Sequence, residues 1–234
     1  MKSMKKISII IPAYNEAPTI RQLVERILAV PFSIDYEIVI VDDHSQDQTH
    51  EIADALGREN LGKIKILHND INRGKGYSIQ KGFSQATGDV VVVQDADFEY
   101  NPNEIPRLLK PILEGSAEVV YGSRFLKKGR PDGMAFPNYI ANRFLTWLTN
   151  CLYGCKLTDM ETCYKLVKRD VLASLNLTAR RFDFEPEITS KLTLRGISIL
   201  EMPISYQGRT AAEGKKIKAR DFFMAVEVLF KNRW

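Results

Sequence analysis

The amino-acid sequence predicts an α/β protein built on one doubly wound, mostly parallel sheet with helices on both faces. Short runs rich in β-branched residues alternate with longer segments of helical periodicity, and Val90 to Val93 is apolar at every position. Such a strand is typical of the centre of a parallel sheet, where both faces are covered. In sheets of this kind, ligands bind at the carboxyl ends of the strands.

The first half of the chain shows the alternation most clearly. Strands are predicted at Ile7 to Ile11, Tyr36 to Val41, Lys63 to Leu67, Asp89 to Gln94 and Glu118 to Tyr121. Helices are predicted near residues 16–29, 47–58, 75–87 and 103–113. The less regular second half predicts helices at Tyr139 to Tyr153, at Glu185 to Leu194 and from about Ala219, with a strand at Ile197 to Met202.

Composition limits the class of protein. The 234 residues are 44% hydrophobic and 26% charged, which suits one large domain. The formal charge of +4 is too small to indicate a nucleic-acid partner. No apolar run approaches the roughly 18 to 20 residues that span a bilayer. Three cysteines, Cys151, Cys155 and Cys163, fit a reducing, cytoplasmic location and are expected as buried free thiols rather than metal ligands.

Polar clusters follow three of the predicted strands. Tyr14 to Glu16 follows the first, Asp42 to Ser45 the second, and Asp95 to Asp97 the fourth, so we expect them on one rim of the sheet. Asp95 and Asp97, with Glu99, supply oxygen ligands suited to Mg²⁺ or Mn²⁺. An isolated Asp-x-Asp is more often a helix cap or a solvated pair, so the prediction depends on the three clusters together.

In this order and spacing, the three clusters resemble the nucleotide-sugar signature of the family-two inverting glycosyltransferases, which have the GT-A fold. Four further segments resemble the subgroup of dolichol-phosphate mannose synthases and bacterial polyprenyl-phosphate glycosyltransferases: Tyr121 to Phe125, Asp159 to Lys165, Phe184 to Ile188 and Arg209 to Lys216. The resemblance implies a single GT-A domain over residues 1–234. Its nucleotide-sugar half lies at about 5–122 and its acceptor-side half at about 123–234.

The resemblance also implies roles for residues on the rim. Around the nucleoside it places Pro12, Tyr14 and Glu16, with Asp43 on the base or ribose. It assigns Asp95 and Ala96 to the nucleotide, and Asp97 and Glu99 to the metal. Lys75, in a glycine-flanked turn before a helix, is a secondary nucleotide candidate because a helix start attracts anions.

Arginines and lysines of the second half are candidates for binding phosphate. Arg124 and Arg130 are expected at an acceptor phosphate, because a guanidinium can donate two parallel hydrogen bonds to phosphate oxygens. A salt bridge at a strand end is the alternative for Arg124. In the glycine-bounded segment 208–216, Arg209, Lys215 and Lys216 are expected to close over the diphosphate, with a solvated charge run as the alternative.

The predicted reaction is inverting transfer of a hexose from a nucleotide sugar, of the GDP-mannose or UDP-glucose type, to a polyprenyl phosphate. Such a phosphate is already largely anionic at neutral pH and needs no strong base. The alternative acceptor is a sugar or glycolipid hydroxyl in cell-wall or exopolysaccharide synthesis, with Asp159 or Glu161 as the base; either residue could instead cap a helix. A nucleotidyltransferase and a non-catalytic nucleotide-sugar sensor are more distant alternatives.

The helix predicted at Tyr139 to Tyr153 has one apolar stripe. It comprises Ile140, Phe144, Trp147, Leu148, Cys151 and Leu152. Core packing or dimerisation explains such a stripe as well as contact with a lipid surface does. The aromatic and basic residues from Phe222 to Trp234 suit the second explanation, which predicts a peripheral protein on the cytoplasmic face of a membrane. His44, His50 and His68 are scattered and are expected to be structural or exposed.

Overall fold

Seven strands form one sheet in the computed structural model, which describes residues 4–127, 129–209 and 219–234. In chain order the strands are β1 (Lys6–Ala13), β2 (Asp35–Asp42), β3 (Ile64–His68), β4 (Val90–Val93), β5 (Val119–Ser123), β6 (Lys165–Lys168) and β7 (Ile199–Pro203). Their order in the sheet is β3-β2-β1-β4-β6-β5-β7. Strand β6 is antiparallel to β4 and β5, and the other pairs are parallel.

Eight α-helices accompany the strands in the described part of the chain. They are α1 (Ile20–Leu28), α2 (Thr49–Glu59), α3 (Lys75–Gln85), α4 (Ile105–Leu113), α5 (Phe136–Tyr153), α6 (Arg169–Ser174), α7 (Phe184–Leu194) and α8 (Ala219–Lys231). The predicted α/β class and mostly parallel sheet are confirmed. Two short elements, β6 and α6, were not predicted, because segments of four and six residues hold too little periodicity to be distinguished from loop.

The centre of the sheet is as apolar as the sequence predicts. All four residues of β4 are at most 2% exposed, and Ile7, Ile9 and Ile10 of β1 are fully buried. Strand β1 lies between β2 and β4, so the chain order reverses on either side of it. This switch point opens a crevice at the carboxyl ends of β1 and β4, where an open α/β sheet binds its ligand.

Hydrogen bonds join the three polar clusters at this rim. The Asn15 amide donates to Ser45 Oγ at 2.9 Å, and the Gln46 amide donates to Asn15 Oδ1 at 2.7 Å. Thr19 Oγ1 donates to the carbonyl of Ala96 at 2.7 Å, which ties the loop after β1 to the loop after β4. The prediction that separate sequence positions converge on one rim is therefore confirmed.

Helix α5 is packed on one side only. Leu145 is buried against Leu229 of α8 in a small apolar cluster that Leu148 and Leu152 join in part. The rest of the predicted stripe, Ile140, Phe144, Trp147 and Cys151, is exposed, so core packing is wrong for these four residues. Within residues 4–127, 129–209 and 219–234, no helix has both the length and the apolarity to cross a membrane.

The three cysteines are free thiols, as expected, but they differ in burial. Cys163 is buried and its Sγ lies 3.5 Å from the carbonyl oxygen of Val93. Cys155 is partly buried and Cys151 is exposed, so the expectation of burial is wrong for Cys151. The reason is that Cys151 lies on the outward face of α5, away from the contact with α8.

Candidate active site

A cavity of about 480 Å³ opens at the carboxyl ends of β1 and β4; we call it the nucleotide cavity. It is lined by residues that the sequence assigns to the nucleotide and metal: Pro12, Tyr14, Glu16, Asp43, Lys75, Asp95, Ala96, Asp97 and Glu99. Arg209 lines it from the opposite side. Lys215 and Lys216, predicted to close over the diphosphate, lie outside the described residues.

Asp43 shapes one wall of the nucleotide cavity. Its carboxylate accepts hydrogen bonds from the backbone amides of Arg73 and Gly74, both at 2.8 Å, and from Asn69 Nδ2 at 2.7 Å. The side chain is 3% exposed. Asp43 thus fixes the turn that leads into α3, as well as facing the space expected for the nucleoside.

The start of α3 differs from the prediction. The backbone amides of Gly76 and Tyr77 donate to the carbonyls of Arg181 and Arg180, each at 3.0 Å, so they are not presented to an anion. Gly74 has a φ of +96°, and a Cβ there would lie 2.5 Å from the Arg180 carbonyl oxygen. Glycine therefore permits a close approach, as predicted, but to this neighbouring backbone rather than to a ligand.

Lys75 nevertheless faces the cavity, through its side chain. Its Nζ lies 2.8 Å from Asp95 Oδ1 and 3.0 Å from Glu185 Oε1. Burial opposes the charged form, but the two carboxylates outweigh it and raise the pKa of Lys75 well above its ordinary value. Lys75 is therefore a positively charged group in the wall of the nucleotide cavity.

The two aspartates of the Asp-x-Asp segment have opposite electrostatics. Burial opposes ionisation of Asp95, but Lys75 outweighs it and lowers the pKa of Asp95. Burial and the neighbouring charge of Asp95 raise the pKa of Asp97 to about 7, although Arg209 opposes the change. Negative charge thus exceeds positive charge around Asp97, an environment that favours an additional cation.

Arg209 and Tyr206 hold the remaining acids of the nucleotide cavity. Arg209 Nη2 donates to Asp97 Oδ2 at 2.5 Å, and Nη1 lies 3.3 Å from both carboxylate oxygens of Glu16. The Arg209 amide and the Tyr206 hydroxyl donate to the two oxygens of Glu99, at 2.8 and 2.9 Å. The chain after β7 is thereby bound to both predicted metal ligands.

A second cavity, of about 500 Å³, adjoins the first; we call it the acceptor cavity. Both cavities are lined by Lys75, Asp95, Glu99 and Phe182. Its other polar side chains include Arg124, Glu161, Glu185 and Tyr206, and its apolar wall is formed by residues of α5 and α8. Two molecules bound in the two cavities would therefore meet beside Asp95.

Arg124 enters the acceptor cavity as half of a buried ion pair. Its Nε and Nη2 donate to the two carboxylate oxygens of Asp159, both at 2.7 Å, and its backbone amide donates to Asp159 Oδ2 at 2.9 Å. The predicted alternative, a salt bridge at a strand end, is thus present. Two N–H groups on Nη1 and one on Nη2 are not used by this pair.

Arg130 lies apart from Arg124. It is exposed and lines neither of the two cavities. The next turn bends at Gly133, where a Cβ would lie 2.6 Å from the carbonyl oxygen of Gly208. The structure therefore brings Arg124, but not Arg130, to the acceptor cavity, and the role of Arg130 at an acceptor phosphate stays a prediction.

Glu161 is the carboxyl group of the acceptor cavity with an unmatched oxygen. Its Oε1 is buried and has no hydrogen-bond partner among the described residues. Burial, and then the charge of Glu185, raise the pKa of Glu161 to about 8, although Lys165 opposes the change. Glu161 is therefore largely protonated at neutral pH and able to exchange a proton with a bound molecule.

Three residues of the site had no assigned role in the sequence prediction. Glu185 pairs with Lys75, Tyr206 binds Glu99, and Phe182 lines both cavities. Glu185 lies within one of the segments that carry the family resemblance, so a signal existed for it. No spacing or composition pattern indicated Tyr206 or Phe182.

Comparison with known proteins identifies the family. A model of glycosyl transferase family 2 matches residues 8–175, which is most of the chain. The chain belongs to glycosyl transferase family 2. This confirms both the predicted family and the predicted enzyme class, a glycosyltransferase.

Two curated relatives of the family 2 chain are each 28% identical to it. A dolichol-phosphate mannosyltransferase of Pyrococcus furiosus matches over 97% of this chain and 63% of its own length. The low-salt glycan biosynthesis hexosyltransferase Agl6 of Haloferax volcanii matches over 87% of this chain and 48% of its own length. The family 2 chain therefore spans about half to two thirds of these relatives.

Solved structures confirm the fold. Glucosyl-3-phosphoglycerate synthase from Mycobacterium tuberculosis, in complex with Mg²⁺ and uridine-diphosphate, has a TM-score of 0.72 and 20% identity. The match covers 97% of this chain and 79% of that one. The same enzyme with Mn²⁺, uridine-diphosphate-glucose and phosphoglyceric acid has a TM-score of 0.70 and 21% identity, with 98% and 80% covered.

Proposed function

We propose that this family 2 chain transfers a hexose from a nucleotide sugar, of the GDP-mannose or UDP-glucose type, to a polyprenyl phosphate with inversion. The observation that carries the proposal is the junction of the two cavities beside Asp95. One cavity holds the predicted nucleotide residues, and the other combines a buried arginine with an apolar wall. The relative named dolichol-phosphate mannosyltransferase supports a lipid phosphate as acceptor.

Arg124 is proposed to bind the acceptor phosphate. Asp159 fixes the guanidinium through two hydrogen bonds of 2.7 Å, and the unused N–H groups remain for phosphate oxygens. The phosphate oxygen that attacks the anomeric carbon is already anionic at neutral pH, so positioning is the main requirement. Asp159 then acts by positioning Arg124 rather than as a base.

Asp97 and Glu99 are proposed to hold Mg²⁺ or Mn²⁺. Their hard carboxylate oxygens and the excess of negative charge around Asp97 fit a divalent cation. Bound there, the cation would neutralise charge on the leaving diphosphate. Arg209, already within reach of Asp97 and Glu16, is proposed to bind the same diphosphate.

The outer face of α5 and α8 is proposed to rest on a lipid surface. Phe136, Ile140, Phe144 and Trp147 of α5 are exposed at helical spacing beside the acceptor cavity. In α8, Phe223 and, just beyond the helix, Trp234 are also exposed, at 69% and 86%. We propose the cytoplasmic face of a membrane, whose reducing side suits the exposed thiol of Cys151.

A flotation assay with vesicles of anionic phospholipid tests this contact. We expect the parent chain to float with the vesicles and a Trp147→Ser, Phe223→Ser double variant to remain in the dense fraction. An exposed residue on another surface, Leu61, provides the control as Leu61→Ser. Equal flotation of parent and double variant would contradict the lipid contact at this face. A concentration-dependent dimer that the double variant abolishes would favour dimerisation instead.

A donor and acceptor screen tests the reaction itself. The chain is incubated with labelled GDP-mannose or UDP-glucose, with Mn²⁺, and with or without polyprenyl phosphate. We expect labelled lipid-linked sugar, together with release of nucleoside diphosphate that depends on the lipid phosphate. Labelled oligosaccharide without labelled lipid would contradict the proposed acceptor.

Transfer to a sugar or glycolipid hydroxyl is the second candidate, favoured by Glu161. A hydroxyl nucleophile needs a base, and the ionised form of Glu161, which is a minority at neutral pH and the major form above its pKa of about 8, can accept the proton. Glu161→Gln separates the two acceptors. If the acceptor is a phosphate, the variant retains most of its turnover; if the acceptor is a hydroxyl, turnover falls by about 100-fold or more.

A further inference from the structure

Two histidines and two aspartates form a cluster outside both cavities. Asp42 ends β2, His68 ends β3, and His50 and Asp54 lie one turn apart on α2. The two imidazole rings are stacked, with centroids 3.9 Å apart. Among the described residues, Asp42, His50 and His68 form a group of three possible metal ligands whose atoms all lie within 4.8 Å of one another.

The two carboxylates lie at opposite ends of the stacked rings. Asp42 Oδ2 is 3.2 Å from His50 Nδ1 and 3.4 Å from His68 Nδ1. Asp54 is on the other side, 2.9 Å from His68 Nε2 and 3.7 Å from His50 Nε2. Three of the four ring nitrogens therefore lie within hydrogen-bond distance of a carboxylate oxygen.

With neutral histidines, the cluster has fewer N–H donors than nitrogen–carboxylate contacts. A neutral imidazole has one N–H and one lone pair, so two rings supply two donors for the three nitrogen–carboxylate contacts within hydrogen-bond distance. In the third contact a nitrogen lone pair would face a carboxylate oxygen, which is repulsive. Protonating both rings would supply the donors, but it would place two positive charges in stacked rings 3.9 Å apart.

A cation on the Asp42 side removes this repulsion. With His68 Nε2–H donated to Asp54, the Nδ1 lone pairs of both rings are free for an ion, and both Nδ1 atoms lie close to Asp42 Oδ2. Bonds of zinc to nitrogen and oxygen are about 2.0 to 2.1 Å, which in a tetrahedron puts ligand atoms about 3.3 to 3.4 Å apart. The observed separations from Asp42 Oδ2 are 3.2 and 3.4 Å.

We propose that Asp42, His50 and His68 form a zinc site, with Asp54 orienting the imidazole of His68 from behind. The ligand set suits Zn²⁺, which takes histidine nitrogen and carboxylate oxygen in tetrahedral geometry, with a fourth position open to water. Asp54 supplies to His68 the outer hydrogen bond that usually accompanies a metal-bound histidine. His50 is half-exposed and His68 partly so, which gives an ion access from solvent.

The proposed ion would have a structural role. It would join the ends of β2 and β3, which are already paired in the sheet, to the first turn of α2. Asp42 directly precedes Asp43, the residue that fixes the wall of the nucleotide cavity. We therefore expect zinc to raise the melting temperature of the chain, because a ligand that binds the folded state alone stabilises it.

Zinc binding is measured on the full chain after removal of metal with a chelator. The probe is Zn²⁺ alone, without nucleotide sugar, titrated against a competing chromophoric chelator. We use a Cys151→Ser, Cys155→Ser background to remove accessible thiols, and repeat the titration with Asp97→Ala added. Zinc binding that persists with Asp97→Ala is independent of the metal site proposed for catalysis, so the two proposals can fail separately.

The variants form a graded series. His50→Ala and His68→Ala should each lower zinc affinity by more than about 100-fold, and Asp54→Asn by about 10- to 100-fold. His44→Asn is the matched control: it removes a nearby exposed histidine, and asparagine tolerates the positive φ of 61° at this position. We expect it to leave the zinc affinity unchanged.

Cobalt provides an independent measurement of geometry. Co²⁺ absorbs strongly in the visible range when tetrahedral and weakly when octahedral, as it would be at oxygen ligands alone. We expect the strong band in the parent chain and its loss in His50→Ala. Equal zinc affinity in the parent and both histidine variants would overturn the proposal, as would NMR evidence that both rings are charged at neutral pH in the presence of zinc.

Discussion

The two cavities meet at the same residues, yet their charges are balanced in different ways. In the nucleotide cavity, acids and bases are paired across loops: Lys75 with Asp95, and Arg209 with Asp97. In the acceptor cavity, Arg124 forms an ion pair with Asp159 through two hydrogen bonds, whereas Oε1 of Glu161 is buried without a hydrogen bond.

This difference indicates different tasks. A cavity whose acids and bases are paired with one another across loops can exchange those pairs for the phosphates and cation of a donor. A fixed arginine beside a protonated carboxyl group provides one rigid anchor and one group that can change its protonation. The predictions below test whether that division of roles is correct.

The largest effect is expected from breaking the pair between Arg124 and Asp159. Arg124→Ala leaves a buried carboxylate unpaired, which should lower the free energy of unfolding by about 3 to 5 kcal/mol. Urea unfolding of the parent and of Arg124→Ala measures this loss of stability. In Arg124→Leu, Asp159→Leu both charges are absent, so we expect stability to recover largely while transfer to lipid phosphate does not. Recovery of transfer in the double variant would remove Arg124 from the proposed acceptor site.

The next largest effect is expected at the nucleotide cavity. Asp97→Ala should reduce Mn²⁺-dependent kcat by about 10² to 10³-fold or more, because charge on the leaving diphosphate loses its main stabilising group. Asp70→Ala, at an exposed acid outside both cavities, is the control. Turnover of Asp97→Ala equal to that of the parent would refute the proposed metal ligand.

A smaller effect is expected from Glu161→Gln, and it depends on pH. The unfolded carboxyl has a pKa near ~4.3, whereas that of folded Glu161 is about 8. Between these values the folded chain keeps a proton that the unfolded chain has lost. The parent's free energy of unfolding therefore falls as pH rises through this window, and levels off above it. In Glu161→Gln this group cannot ionise, so the free energy of unfolding lacks this dependence on pH.

Urea unfolding at pH 5 and pH 8 measures this difference. From the lower to the higher pH, Glu161→Gln should gain at least about 1 kcal/mol relative to the parent, since each pH unit is worth at most about 1.4 kcal/mol. Glu187→Gln is the matched control. Burial acts to raise the pKa of Glu187, but hydrogen bonds from Lys191 and Thr178 outweigh burial and lower the pKa. We expect Glu187→Gln to show no such gain in stability between pH 5 and pH 8. Parallel pH profiles for parent and Glu161→Gln would show that Glu161 is ionised.

The histidines show what the sequence could not convey. His50 and His68 are separated by a helix and a strand, and nothing in their spacing predicts that their rings stack between two aspartates. Their meeting depends on the parallel register that brings Asp42 beside His68. Local patterns carry no information about that register until the strands are paired.

The sequence by itself determined the α/β class, the family and the rim of the nucleotide cavity. Period-two and period-3.6 patterns are local, and consecutive parallel strands end on one rim, so Asp43, Asp95 and Asp97 could be placed without coordinates. Tertiary structure alone decided the acceptor side. Inserting the four-residue β6 between β4 and β5 sets the geometry there. Three features depend on contacts between distant segments. Arg124 pairs with Asp159, Arg130 lies outside the acceptor cavity, and the first amides of α3 donate to the carbonyls of residues 180–181.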